Sequence, residues 1–178
     1  MQLLTELGFE TGFKGADRTT HYFEIARAGF EWDLSDVAGP RFQKSPHLCD
    51  RLSEIVSRGV RIDHIIVPVR NGADAAKSRI KVQLATTGTP DGEEVAGGLW
   101  STSRSDAQET ILRVKLASLI EVAVKHDISL IFLAYPRHAQ DAEYAYRKLT
   151  PILGDTTWPQ FREVFGKVSK PELISTFD

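Results

Sequence analysis

Two short apolar runs constrain this chain more than any other feature. Residues 62–69 carry Ile65-Ile66-Val67 almost without polar relief, and residues 128–135 carry Ile131-Phe132-Leu133. A strand wetted on one face alternates apolar and polar residues. A run without that alternation is buried on both faces, as parallel strands covered by helices are. Pro68 near the end of the first run puts it close to an exit loop. Helical patterns surround the two runs. Ser45 offers an N-cap oxygen, Pro46 suits the first helical position, and Leu48, Leu52, Ile55 and Val56 form a stripe of period 3.6 that Gly59 ends, so a helix is expected from Pro46 to about Arg58. Ser105 and Gln108 have the spacing of a capping box ahead of Leu112, Leu116, Leu119, Ile120 and Ala123, which predicts a helix to about His126. Further helices are expected over 140–149 and 160–168. The alternation of helices with buried strands argues for one domain over residues 1–178, a three-layer α/β/α fold with a mostly parallel sheet.

Some segments stay open at this level. Residues 73–81 are Ala-rich, which favours helix, while Ile80, Val82 and Leu84 alternate as in a strand. Residues 21–32 fit either strand or helix. Residues 86–103, with Gly88, Pro90, Gly92, Gly97 and Gly98, read as a long surface or lid segment.

Composition excludes several classes of function. Lys and Arg number 22 against 24 Asp and Glu, a net charge of −2, which gives no general attraction to nucleic acid or to an anionic membrane. No apolar stretch approaches the roughly 20 residues of a membrane-spanning helix, so no integral membrane segment is expected. A single cysteine, Cys49, excludes an internal disulfide framework and a multi-cysteine zinc site, and the 5 histidines do not cluster. A cytoplasmic location and no metal site are the expectations.

Ligands of parallel sheets bind beyond the carboxyl ends of the strands. Three segments come under that rule. In Gln43-Lys44-Ser45-Pro46-His47, a lysine and a histidine flank a helix N-terminus, where free N–H groups and the macrodipole attract anions; the plainer reading is a cap with a solvated lysine. In Val67-Pro68-Val69-Arg70-Asn71-Gly72, followed by Ser78, an arginine leaves a strand eight residues before a serine. Its guanidinium suits phosphate, though strand-end arginines also make structural ion pairs. In Ala134-Tyr135-Pro136-Arg137, followed by Asp141 and Tyr146-Arg147-Lys148, a tyrosine leaves the second strand ahead of a basic helix, and ordinary edge packing explains it equally well.

Taken together, the Lys-Ser-Pro segment, the strand ending in Arg-Asn with Ser78 after it, and the late strand ending in Tyr resemble the sulfotransferase superfamily. The resemblance runs from Glu31-Trp32-Asp33-Leu34 to Pro171-Glu172-Leu173-Ile174. It implies a P-loop NTPase-like fold and transfer of a sulfuryl group from 3′-phosphoadenosine 5′-phosphosulfate (PAPS) to a hydroxyl or amine of a small-molecule or carbohydrate acceptor, with no metal required. Arg70 and Ser78 would bind the 3′-phosphate, Tyr135 would lie on the adenine side, and Lys44 and His47 would border the acceptor and the transferring group. His47 would serve as general base, with Glu31 or Asp33 as the fallback carboxylate. The resemblance also implies that residues 73–84 are helical. The aromatic stretch 23–32 and the loop ending at Trp100 would line the acceptor pocket.

The family's N-terminal strand and its phosphate-binding glycine loop have no counterpart here. Residues 1–12 look like the helix that follows that loop, and the place of a central strand is expected to be empty or filled otherwise. Three readings follow: a shortened form of an active enzyme, a homologue that keeps the 3′-phosphoadenosine site without transfer, or an interaction protein built on the same scaffold, with a homo-oligomer or a complex covering the exposed sheet edge.

Overall fold

The computed structural model describes residues 1–13, 22–23, 28–29, 31–32 and 39–174. In chain order the elements are α1 (Gln2–Glu6), β1 (Tyr22–Phe23), β2 (Ala28–Gly29), α2 (Leu48–Ser57), β3 (His64–Val69), α3 (Gly72–Thr87), α4 (Gln108–Lys125), β4 (Ser129–Ala134), α5 (Arg137–Gln140), α6 (Ala142–Leu149) and α7 (Trp158–Val168). Single 3-10 turns lie at Ser105–Ala107, Thr150–Ile152 and Pro171–Leu173. The chain is therefore a mixed α/β protein.

The two apolar runs are β3 and β4, and they pair in parallel along their whole length, from His64 opposite Ser129 to Val69 opposite Ala134. They hydrogen-bond directly to one another, so no third strand stands between them. β1 and β2 form a separate antiparallel pair. Most apolar side chains of the parallel pair divide between two clusters, as the pleat requires, but β4 is not buried on both faces as its apolar run predicts: Phe132, between Ile131 and Leu133, is 36% exposed. Ile65 and Val67 pack with Leu52 of α2 and with Leu119 and Ala123 of α4. Ile131 and Leu133 pack with Leu4 of α1, Ala145 and Leu149 of α6, and Phe161 and Phe165 of α7. Leu52 and Phe161 are wholly buried, one in each cluster. Burying a side chain of this size stabilises a fold by about 1.5–3 kcal/mol.

Several element boundaries differ from the sequence expectation, each for a local reason. The helix expected from Pro46 begins at Leu48, because the Ser45 hydroxyl accepts the His47 N–H (3.2 Å) and closes a turn before the helix. It ends as expected: Gly59 takes a φ of +81° just after the last turn. The ambiguous segment after Arg70 is helical throughout, and Asn71 starts it by accepting the Ala73 and Asp74 N–H groups at 3.0 and 3.3 Å. The helix expected over 140–149 breaks at Asp141, whose carboxylate caps α6 by accepting the Tyr144 N–H (2.9 Å).

The expected capping box at Ser105 does not form. Ser105 belongs to a 3-10 turn, its N–H donates to the Asp91 carboxylate, and Gln108 turns elsewhere. Gln108 is wholly buried, accepting the Trp100 N–H at 2.7 Å and donating to the Trp100 carbonyl. Gln83 of α3 is buried likewise and holds the Glu93 carbonyl (2.7 Å) and the Leu99 N–H (3.1 Å). The segment between α3 and α4 is thus pinned at its middle, with Leu99 only 2% exposed, rather than free as a lid. Gly98 permits this approach: a Cβ there would lie 2.4 Å from Gln83 Oε1.

Candidate functional site

β3 and β4 run in the same direction, so their carboxyl ends open side by side. Arg70 follows β3 and Tyr135 follows β4, and the Tyr135 N–H donates to the Val69 carbonyl (2.8 Å), carrying the ladder one residue past the strand. The ladder therefore seats Tyr135 next to Arg70. The guanidinium lies over the tyrosine ring, Cζ 4.9 Å from its centroid, and both residues are half-buried. Ser78 is on α3, the helix that Asn71 starts directly after Arg70, and its half-buried hydroxyl has no hydrogen-bond partner among the described residues. Two of the three residues expected on the nucleotide side are thus in contact, and the third stands on the adjoining helix.

His138, which the sequence did not single out, joins this group. Its Nδ1 lies 3.2 Å from the Ala134 carbonyl and its ring is 5.7 Å from that of Tyr135. Burial pushes its pKa below the usual 6.5, against the opposing pull of the Ala134 hydrogen bond. The Ala134 N–H is also held, donating to the Tyr144 hydroxyl at 2.9 Å. Arg137 lies over the Tyr144 ring (4.4 Å) and ion-pairs with Asp141 (3.0 Å). Strand exit and the next two helices are therefore tied together by side chains. A His three residues past a strand-end Tyr is the one sequence signal that could have drawn attention here.

Lys44 and His47 have different surroundings. Lys44 Nζ is 3.3 Å from Glu31 Oε1, and the Trp32 N–H donates to the Lys44 carbonyl (2.8 Å), so residues 31–32 run beside Lys44. His47 precedes α2 without capping it, and its ring meets Trp100 edge-on at 5.7 Å. Two cations also address Trp100: Arg79 of α3 at 5.0 Å and Lys115 of α4 at 5.3 Å. Arg79 donates to the Gly98 carbonyl (2.7 Å), and burial lowers its pKa. Lys115 ion-pairs with Asp50. The Met1 amine, lowered to about 6 by burial and then by Lys44, also acts on the His138 ring, so Lys44 and His138 are both within electrostatic range of the first residue. Asp33 and most of the aromatic stretch expected to line an acceptor pocket lie outside the described residues.

A separate groove of about 500 Å³, lined by Glu6, Phe9, Leu153, Asp155, Gln160 and Val164 among others, shares no residue with these clusters. Among the described residues, no helix is long and apolar enough to cross a membrane, and no three of His, Cys, Asp and Glu are placed to hold a metal ion. No protein-family model, no curated protein and no solved structure matches the chain.

Proposed function

We propose that this chain is a sulfotransferase-like protein of three-layer α/β/α architecture that binds the 3′-phosphoadenosine end of PAPS beyond β3 and β4. The observation that carries this reading is the Arg70–Tyr135 pair, a guanidinium and an aromatic ring held together at adjacent strand exits. Arginine offers a fork of donors matched to phosphate oxygens, and a base has aromatic surface beside it. The Ser78 hydroxyl on the following helix, without a hydrogen-bond partner among the described residues, adds a second donor. The N–H groups at the start of α3 are not available to the 5′ end, because Asn71 occupies those of Ala73 and Asp74.

In the reaction such a site serves, an acceptor hydroxyl or amine attacks sulfur and the bond from sulfur to the 5′-phosphate oxygen breaks. 3′-Phosphoadenosine 5′-phosphate leaves, and the acceptor's proton goes to a base. The protein's work is positioning and charge neutralisation. Lys44 is the cation for the sulfuryl oxygens. Of the bases named from the sequence that the structure describes, Glu31 contacts Lys44 and His47 faces Trp100. We assign the proton to Glu31 and the Trp100 side to the acceptor.

Thermal melting with 3′-phosphoadenosine 5′-phosphate tests the reading, since a ligand of the folded state alone raises Tm. The nucleotide is expected to stabilise the chain, and Arg70→Ala to remove the shift. No shift at millimolar nucleotide removes the proposal. Turnover of PAPS that Glu31→Gln slows without weakening nucleotide binding supports the transfer step, whereas binding without turnover leaves a non-catalytic nucleotide-binding homologue.

A further inference from the structure

Resting on the nucleotide site proposed above, a specificity role falls to a residue that reading does not use. A carbonyl oxygen can only accept, so the 3.2 Å contact between His138 Nδ1 and the Ala134 carbonyl requires the proton on Nδ1. A ring with one proton then has a lone pair on Nε2. Nε2 has no hydrogen-bond partner among the described residues, and the ring is half-buried beside Tyr135. Burial disfavours the imidazolium, which would turn Nε2 into a donor. The Ala134 carbonyl thus fixes both the tautomer and the polarity of the exposed ring edge.

We infer that His138 reads the purine of the bound nucleotide: Nε2, an acceptor beside the Arg70–Tyr135 pair, takes a hydrogen bond from an exocyclic 6-amine and rejects a 6-carbonyl. The ligand class is an adenine nucleotide, and hypoxanthine and guanine nucleotides are disfavoured because two acceptors would face each other. One hydrogen bond of ordinary strength corresponds to about tenfold in affinity.

The test is isothermal titration at pH 7.5 of the full chain with 3′-phosphoadenosine 5′-phosphate and with its 3′-phosphoinosine counterpart, in which a carbonyl replaces the amine. The chain is expected to prefer the adenosine form about tenfold. His138→Phe should weaken the adenosine form alone and erase the preference. His138→Gln, whose amide both donates and accepts, should bind both forms and also guards against a misfolded Phe variant. Equal binding of the two nucleotides by the native chain, or an undiminished preference in His138→Phe, overturns the inference while leaving the nucleotide site standing. Failure of the native chain to bind either nucleotide overturns the site itself, and the base-reading role with it. A residue acting only on stability would lower both affinities together and leave their ratio unchanged.

Discussion

Of the aromatic rings that carry a guanidinium, Trp100 and Tyr135 have opposite settings. Trp100 lies in the segment between α3 and α4, with Arg79 and Lys115 over it and His47 against its edge. Its backbone N–H and carbonyl are held by Gln108, Arg79 is also bound to the Gly98 carbonyl, and Lys115 is paired with Asp50. Tyr135 lies just past the end of a strand under Arg70, with the His138 ring beside it and Ser78 on the helix that follows Arg70, and His138 and Ser78 each keep a polar atom without a protein partner among the described residues. The first pair uses its polar groups to hold a long irregular segment in place. The second sits at the end of a paired strand, where the Tyr135 N–H extends the ladder to the Val69 carbonyl. A guanidinium over a ring thus anchors an irregular segment in one place, and in the other it stands at the strand exits where we propose that a nucleotide binds.

The comparison breaks most readily at the pinned segment. Gly98→Ala puts a Cβ against Gln83 Oε1 and Val95, and Gln108→Leu leaves the Trp100 backbone groups unpaired. Each is expected to cost about 1–3 kcal/mol, read as a lower urea midpoint with an unchanged slope. Next comes the same truncation at both rings. Arg79→Ala loses a hydrogen bond and a cation–π contact and should cost about 1–2 kcal/mol. Arg70→Ala loses the cation–π contact with Tyr135 and should cost about 0.5–1 kcal/mol in denaturation while losing the nucleotide-induced Tm shift. If Arg70→Ala destabilises as much as Arg79→Ala, the strand-exit pair is structural and the contrast fails. Tyr144→Phe removes the hydroxyl that accepts the Ala134 N–H and should cost about 1 kcal/mol, a measure of how firmly the strand exit is tied to α6.

The smallest effect is in pH. The folded chain holds the His138 pKa below 6.5, chiefly by burial. As pH falls through 6.5, the unfolded chain takes up a proton that the folded chain resists, so stability present above 6.5 declines below it. His138→Gln should flatten melting temperature against pH in that window. A profile unchanged by the substitution would mean that burial does not hold this ring neutral.

Much of the architecture was legible because it is written in local pattern. The apolar runs at Ile65-Ile66-Val67 and Ile131-Phe132-Leu133 are strands, and the stripe Leu48, Leu52, Ile55, Val56 is a helix ended at Gly59. These follow from burial periodicity and left-handed glycine geometry, which neighbouring residues dictate. The segment after Arg70 was ambiguous because its alternating Ile80, Val82 and Leu84 fit a strand, and the Asn71 cap with the alanine run prevailed. Of the candidate site, Arg70 and Tyr135 were legible because strand ends are, whereas His138 was not, since its position beside Tyr135 is set by a contact with the carbonyl four residues earlier.

Gln83 and Gln108 show the limit most clearly. In sequence Gln108 completes a capping box with Ser105, a local bond. In the fold it reaches Trp100 instead, because an irregular segment pressed against two helices brings unpaired backbone groups that must be satisfied wherever they are buried. Local pattern determined which stretches became helix and strand and which residues would stand at the strand ends. Only the tertiary structure decided that β3 and β4 pair directly, that Glu31 meets Lys44 and that Trp100 draws Arg79, Lys115 and His47 together, because contacts between residues far apart in sequence depend on how the elements pack, and no local periodicity encodes that.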